Sequence, residues 1–229
     1  MKIEASFVTS ATGASGFPKD GLAEIAIVGR SNVGKSSLIN ALVRQRIART
    51  AAAPGKTRLA NVYRVAHPST ARGGAAPFYL VDLPGYGFAR GGSGGFDELA
   101  SEVFSRSPAA LLLVDLRHPG LESDRAAWEW VSGAAAEAAV VATKIDKLAR
   151  GERIRAMRQL ESVFDASVLP VSAVTGEGLD ELWNLIDSLV NRRNNLPPRH
   201  NSQRLPKPTA RSQGQPPREP TRQPRRQKK

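Results

Sequence analysis

The run Gly29-Arg30-Ser31-Asn32-Val33-Gly34-Lys35-Ser36 sets two glycines five residues apart and follows the second at once with Lys and Ser. These residue types at this spacing suit phosphate. Glycine lets the chain turn sharply and approach an anion with no Cβ in the way, and the backbone N–H groups converge on phosphate oxygens. Lys35 is the residue expected to reach the β and γ phosphates, and the Ser36 hydroxyl is the expected Mg²⁺ ligand. The pattern carries meaning only between a strand and a helix. Here Glu24-Ile25-Ala26-Ile27-Val28 reads as a buried strand ahead of it, and Ser37-Leu38-Ile39-Asn40-Ala41-Leu42-Val43 has an amphipathic helical period behind it. The helix N-terminus adds a field favourable to anions. Over 229 residues a chance match has odds of about 1% at ordinary residue frequencies, so a nucleoside phosphate is the expected ligand.

The loop alone names neither the base nor the fate of the phosphates. After the apolar strand Phe78-Tyr79-Leu80-Val81 comes Asp82-Leu83-Pro84-Gly85. A carboxylate at the end of a strand beside a phosphate loop is placed to hold Mg²⁺, through a water, and the unobstructed Gly85 N–H is placed to sense a γ phosphate. Thr143-Lys144-Ile145-Asp146, after the strand Ala138-Ala139-Val140-Val141-Ala142, fits the [Asn/Thr]-Lys-x-Asp pattern that reads guanine. The Asp146 carboxylate would accept from guanine N1–H and the N2 amine. Adenine offers neither, and an unpaired buried acceptor costs about 1–3 kcal/mol. The Lys144 stem would pack on the base, and Thr143 would tie this loop to the phosphate loop. Val171-Ser172-Ala173, after the short strand Ser167-Val168-Leu169-Pro170, is placed to offer a backbone N–H to guanine O6.

Between the phosphate loop and Asp82 lies Pro54-Gly55-Lys56-Thr57-Arg58. A Thr in this interval is expected on Mg²⁺ and the γ phosphate only in the triphosphate state, which makes the segment a switch. Thr50 is a rival, and Thr57 has the stronger context, with Pro-Gly before it and the strand Leu59–Val65 after it.

These motifs together resemble the EngB (YihA/YsxC) family of ribosome-biogenesis GTPases. Gly29 to Ser37 (GRSNVGKSS), Pro54-Gly55-Lys56-Thr57, Asp82-Leu83-Pro84-Gly85-Tyr86-Gly87, Asp115-Leu116-Arg117-His118-Pro119 and Thr143-Lys144-Ile145-Asp146-Lys147 carry the likeness, which runs from about Ile3 to Asn191. The resemblance implies a cytoplasmic bacterial GTPase that assists large ribosomal subunit assembly and is needed for normal cell division and septation. It implies Gly29 to Ser36 on the phosphates, Ser36 and Thr57 on Mg²⁺, Asp82 and Gly85 on the γ-phosphate side, and Thr143, Lys144 and Asp146 on the base. The residue after the Asp-x-x-Gly glycine, often a water-orienting Gln in GTPases, is Tyr86 here. A phenol with a pKa of about 10 is no general base near neutral pH, so slow intrinsic hydrolysis is expected, carried by Lys35, Thr57, Gly85, Mg²⁺ and a partner. Related GTPases with Asn at the position of Asn32 use K⁺ where others use an arginine finger, which makes K⁺ a candidate activator. His118, in a His-Pro turn after a strand, is read as structural.

The elements that must position these residues follow from alternating short apolar runs and helical segments. The sequence predicts helices over Ser36–Gln45, Phe96–Arg106, Ser123–Gly133, Gly151–Phe164 and Gly178–Asn191. The fold class is α/β, a P-loop nucleoside-triphosphatase of three layers with a mostly parallel sheet between helices. Every motif then leaves a strand's C-terminal end, where open α/β sheets bind ligands. Residues 1–22 read as a lead-in, 23–191 as the nucleotide-binding domain and 192–229 as a basic tail. For Gly91-Gly92-Ser93-Gly94-Gly95 two readings stand, a mobile second switch and a passive loop.

The chain has no cysteine, which excludes disulfides, thiolate metal sites and cysteine nucleophiles. No apolar run reaches the 18 or so residues that cross a membrane, and the N-terminus lacks a signal-peptide pattern, so a cytoplasmic protein is expected. From Arg192 to Lys229 there are 12 Lys/Arg against Glu219 alone, which is +11 of the chain's +12. The tail also holds 8 of the 16 prolines and no Phe, Trp or Tyr. It is expected to be disordered when free and to suit phosphate backbones without reading base sequence. Ribosomal RNA is the preferred partner for it; a purely solubilising tail and anionic membrane contact are the other readings. A monomer is the default. Two functions remain open: a GTPase whose nucleotide state gates binding to a pre-ribosomal particle, and an RNA-binding assembly factor that keeps GTP as a structural ligand. An ATPase is contradicted by Asp146.

Overall fold

Strands β2 (Ala23–Gly29) and β5 (Ala109–Asp115) are buried along their whole length. Their side chains alternate between two hydrophobic clusters: Ile25, Ile27, Leu111 and Leu113 face one, while Ala26, Val28, Ala110, Leu112 and Val114 face the other. A strand covered on both faces reads as a continuous apolar run, which is why these segments show no polar alternation. A computed structural model describes residues 3–49, 59–67, 76–86, 94–106 and 109–194.

The remaining strands are β1 (Glu4–Ala11), β3 (Ala60–Ala66), β4 (Phe78–Asp82), β6 (Glu137–Thr143) and β7 (Val168–Pro170). They form one seven-stranded sheet in the order β1-β3-β4-β2-β5-β6-β7. The four pairings from β4 to β7 are parallel, and β1–β3 and β3–β4 are antiparallel. The helices are α1 (Lys35–Val43), α2 (Gly94–Arg106), α3 (Glu122–Ala134), α4 (Arg150–Phe164) and α5 (Leu179–Asn194). Leu38, Ile39 and Leu42 of α1 share one cluster with Leu182, Trp183 and Ile186 of α5. Leu99 and Val103 of α2, Val131 of α3 and Leu160 and Phe164 of α4 share the opposite one. The result is the expected three-layer α/β sandwich, with β2, β4, β5, β6 and β7 all ending at one rim.

Strand β1 and the ends of α1, α2 (from Gly94 rather than Phe96) and α5 differ from the sequence expectation by two residues or more. Strand β1 lies within the segment read only as a lead-in. It is an edge strand with Phe7 51% and Val8 41% exposed, and its register slips between Phe7 and Thr9. That irregularity breaks the alternation by which a half-buried strand is recognised. Helix α1 ends at Val43 rather than Gln45, because Arg44 takes a left-handed backbone with φ of 54°. Helix α5 runs to Asn194 rather than stopping at Asn191, and Arg192, counted with the tail, lies 3.3 Å from Glu137. Pro54, Gly55, Lys56, Thr57 and Arg58, the rival Thr50, residues 91–93 of the glycine-rich run and residues 195–229 lie outside the described residues. No helix among the described residues is long and apolar enough to cross a membrane.

Candidate functional site

The phosphate loop, residues 29–34, joins β2 to α1 through two left-handed residues, Asn32 with φ of 60° and Gly34 with φ of 110°. Gly34 caps α1 with no side-chain hydrogen bond, so the first N–H groups of the helix stay available to an anion. Gly29 is required by crowding: a Cβ there would stand 2.8 Å from Val33 Cγ1 and 2.9 Å from the Leu113 carbonyl oxygen. Arg30, Ser31, Asn32, Val33, Ser36 and Ser37 occupy the loop and the first helical turn as expected, and Val33 alone of these is buried.

Lys35 Nζ donates to the Gly29 carbonyl at 3.3 Å, so the lysine arches back over the loop. Burial holds its pKa below the usual lysine range, and the nearby Asp82 carboxylate works against that shift. Asp82 ends β4 with only 6% of its surface exposed, and its Oδ1 has no hydrogen-bond partner. Burial pushes its pKa up to about 6, against the pull of Lys35. A buried carboxylate oxygen left without a donor, one lysine away from a phosphate loop, suits a hard divalent cation. The donor set of Asp82 with the Ser36 hydroxyl therefore fits Mg²⁺. Leu83 N–H donates to the Ile27 carbonyl at 3.1 Å, so Asp82–Gly85 continues β4 alongside the phosphate loop.

On the base side, β6 delivers Thr143, Lys144, Ile145 and Asp146. The Thr143 hydroxyl lies 2.7 Å from the Val33 carbonyl oxygen and 3.1 Å from that of Val114, so its single proton joins this strand end to the phosphate loop. Lys144, with φ of 60°, bonds through Nζ to the Asn32 carbonyl and to Asp115 Oδ2, the latter at 2.9 Å. Asp115, at the end of β5, also takes Arg117 Nε at 2.9 Å and Nη2 at 2.7 Å. Burial alone would raise the Asp115 pKa, but these donors hold it well below the usual carboxylate range. Ile145 is buried beneath the loop.

Asp146 Oδ1 accepts from the Ser172 hydroxyl at 2.7 Å, and Oδ2 lies 3.3 Å from Lys147 Nζ. Burial works against ionisation of Asp146, yet Ser172 and Lys147 together keep its pKa lowered. The carboxylate is thus held charged and oriented, as a partner for two adjacent N–H donors must be. Ser172 is fully buried and its Oγ also accepts from the Val174 and Thr175 N–H groups. The Ser172 N–H is taken by the Glu177 carbonyl at 2.9 Å. The Ser-Ala expectation therefore narrows to Ala173 as the backbone donor, while Ser172 acts through its hydroxyl. Val171 N–H bonds the Ala142 carbonyl at 2.8 Å and seats this loop beside β6. His118 is exposed and its N–H closes a turn onto the Asp115 carbonyl.

Sequence reasoning gave no role to Asp115, Arg117 or Asp124, nor to the Ser172 hydroxyl. Asp115-Leu116-Arg117 sits at the end of an apolar strand, as Asp82 does, and that is the signal available in the sequence.

A mostly parallel sheet, a Gly-x-x-x-x-Gly-Lys-Ser loop at its rim and an oriented Thr-Lys-x-Asp carboxylate define a P-loop GTP-binding domain of the GTPase class. Residues 24–147 match the model of the MMR_HSR1 family, described as 50S ribosome-binding GTPase. The chain is 40% identical over 208 residues to the "Probable GTP-binding protein EngB" of Clostridioides difficile, covering 85% of this chain and 96% of that protein. It is 40% identical over 192 residues to the protein of the same description from Chlorobaculum parvum, covering 80% and 95%. The chain belongs to the EngB family of GTP-binding proteins. Among solved structures, Aquifex aeolicus Era bound to GDP·AlF₄⁻ superposes with a TM-score of 0.64 at 23% identity, over 73% of this chain and 56% of that one. A probable GTP-binding protein engB superposes with a TM-score of 0.53 at 21% identity, over 75% of this chain and all of that one. These two likenesses concern the fold.

Proposed function

We propose that this protein is a slow, Mg²⁺-dependent GTPase whose nucleotide state gates its action in large ribosomal subunit assembly, and through ribosome supply normal cell division and septation. The observation that carries the reading is the buried, donorless Asp82 oxygen at the start of an Asp-x-x-Gly segment lying along the phosphate loop. A cation between Asp82 and a triphosphate would couple that segment to the γ phosphate. The ribosomal part is supported by the description of the family model, 50S ribosome-binding GTPase.

In this reading the loop N–H groups of residues 29–36 and Lys35 bind the phosphates, and Ser36, Asp82 and Thr57 hold Mg²⁺. Bound Mg²⁺ supplies charge neutralisation at the β and γ phosphates. Gly85 N–H meets the γ phosphate, Asp146 reads the base, and Ala173 N–H meets O6. Pro54–Arg58 is the first switch, and K⁺ at the exposed Asn32 is a further activator. The protein acts in the cytoplasm as a monomer, with the tail on ribosomal RNA.

A second reading, an RNA-binding assembly factor that keeps GTP as a structural ligand, draws on Tyr86, whose hydroxyl donates to Asp124 at 2.8 Å. The experiment is GTP turnover by the full chain with Mg²⁺, with and without large ribosomal subunits, in K⁺ and in Na⁺. Stimulation by the subunits is the expected result, with a further gain in K⁺. Turnover unchanged by subunits in either salt would favour the structural-ligand reading.

A further inference from the structure

One buried carboxylate faces the site from a helix that none of the motifs includes. Asp124 stands in the first turn of α3 with 1% of its surface exposed. A single oxygen, Oδ1, accepts from Arg30 Nε and from the Tyr86 hydroxyl, each at 2.8 Å. Arg30 is the second residue of the phosphate loop, and Tyr86 directly follows Gly85. Side chains 94 and 38 residues away in sequence therefore meet on one atom. The main chains meet as well: Arg30 and Tyr86 form a parallel β-bridge that prolongs the β2–β4 pairing past the strand ends.

The consequence falls on Gly85. A Cβ built there would lie 2.6 Å from Ser31 N and 2.8 Å from Ser31 Cα, contacts with backbone that no rotamer change relieves. The Gly85 backbone is thus seated directly on the phosphate loop, with a side-chain clamp one residue further on. The clamp resists release. Tyr86 and Asp124 both have pKa values raised mainly by burial, so the phenol keeps its proton as donor. A buried carboxylate deprived of a donor is costly. The same clamp turns the Tyr86 side chain toward α3, which leaves backbone groups to face the phosphates at this position.

We propose that Asp124 is a positioning residue for GTP hydrolysis: by gathering Arg30 and Tyr86 on one oxygen it fixes the Gly85 N–H where the γ phosphate is met. The inference rests on the reading of Gly85 as a γ-phosphate contact. Preorganised donors lower the cost of meeting developing charge, whereas free ones must first be ordered.

The test uses the full chain, Tyr86→Phe, Asp124→Ala and the double variant, with Mg²⁺ throughout. Kd is measured for GDP and for a non-hydrolysable GTP analogue, together with the single-turnover hydrolysis rate. Each single variant is expected to keep its GDP Kd, and to lose about tenfold or more in analogue affinity and hydrolysis rate, the scale of one hydrogen bond to a charged group. The double variant is expected to be no worse than Asp124→Ala alone, because without the carboxylate the Tyr86 hydroxyl has no bond left to lose. Tyr86→Phe is the mild probe, since it deletes a hydroxyl and keeps the ring. Equal weakening of GDP and analogue, or additive losses, would reduce Asp124 to a packing role and overturn the proposal. Unchanged analogue affinity and rate in Tyr86→Phe would overturn it too. A wild-type chain that binds the analogue no differently from GDP, with Mg²⁺ present, would instead remove the reading of Gly85, and this inference with it.

Discussion

Asp115 gathers two cations on one carboxylate: Lys144 from the loop after β6 and Arg117 from its own turn. Because Lys144 also grips the Asn32 carbonyl, Asp115 transmits the position of the base loop to the phosphate loop. A carboxylate whose folded pKa lies below its unfolded value stabilises the fold fully above the unfolded value, near 3.9, and loses that contribution as pH falls toward the folded one. Wild type and Asp115→Asn are therefore expected to differ in Tm by a constant amount from pH 7 to about pH 5, with Asp115→Asn the less stable, and to converge below about pH 4. Thermal unfolding across that range checks it, and a gap that closed already near pH 6 would contradict it. The pairing was not legible in the sequence, since Asp115 and Lys144 are 29 residues apart and only parallel pairing of β5 with β6 brings their ends together. Asp146, by contrast, was legible, because its chemistry lies in a contiguous tetrapeptide. Its Ser172 hydroxyl partner was not, because a Ser at that place has no local mark.

The connection from β7 to α5 decides where Ser172 sits, and of its two left-handed glycines, Gly176 and Gly178, only the second is also crowded. Gly178 has φ of 79°, and a Cβ there would come 2.1 Å from the Pro170 carbonyl oxygen. Neither the conformation nor the space admits a side chain. Gly178→Ala is expected to cost about 1–3 kcal/mol of stability, and to weaken GDP binding by about tenfold because the loop carrying Ser172 and Ala173 must move. Calorimetric titration with GDP beside a thermal melt measures both, and retained affinity with lowered Tm would separate the loop from base recognition. Elements such as β2, β5 and β6 were legible as unbroken apolar runs. The strand β1 was not, because an exposed edge with a bulge has neither an apolar run nor alternation. The ends of α1 and α5 were misplaced by a few residues: a left-handed Arg44 ends α1, and α5 runs on through the polar residues after Val190, where hydrophobic period gives no signal.

For the molecule as a whole, the sheet brings motifs scattered from Gly29 to Ala173 to one rim, and the sequence places nearly all the excess positive charge after Asn191. In the proposed function the folded part is the switch and the basic tail is the arm that meets RNA. Ionic binding by such an arm falls steeply as salt rises, whereas the nucleotide dependence belongs to the folded part. The most direct measurement is co-sedimentation with large ribosomal subunits of the full chain and of a truncation after Asn194, each with GDP or a non-hydrolysable GTP analogue, at low and moderate salt. The analogue is expected to strengthen binding of both forms over GDP, and the truncation to weaken binding and flatten its salt dependence. Binding that is indifferent to the nucleotide in both forms would contradict a nucleotide-gated ribosomal factor.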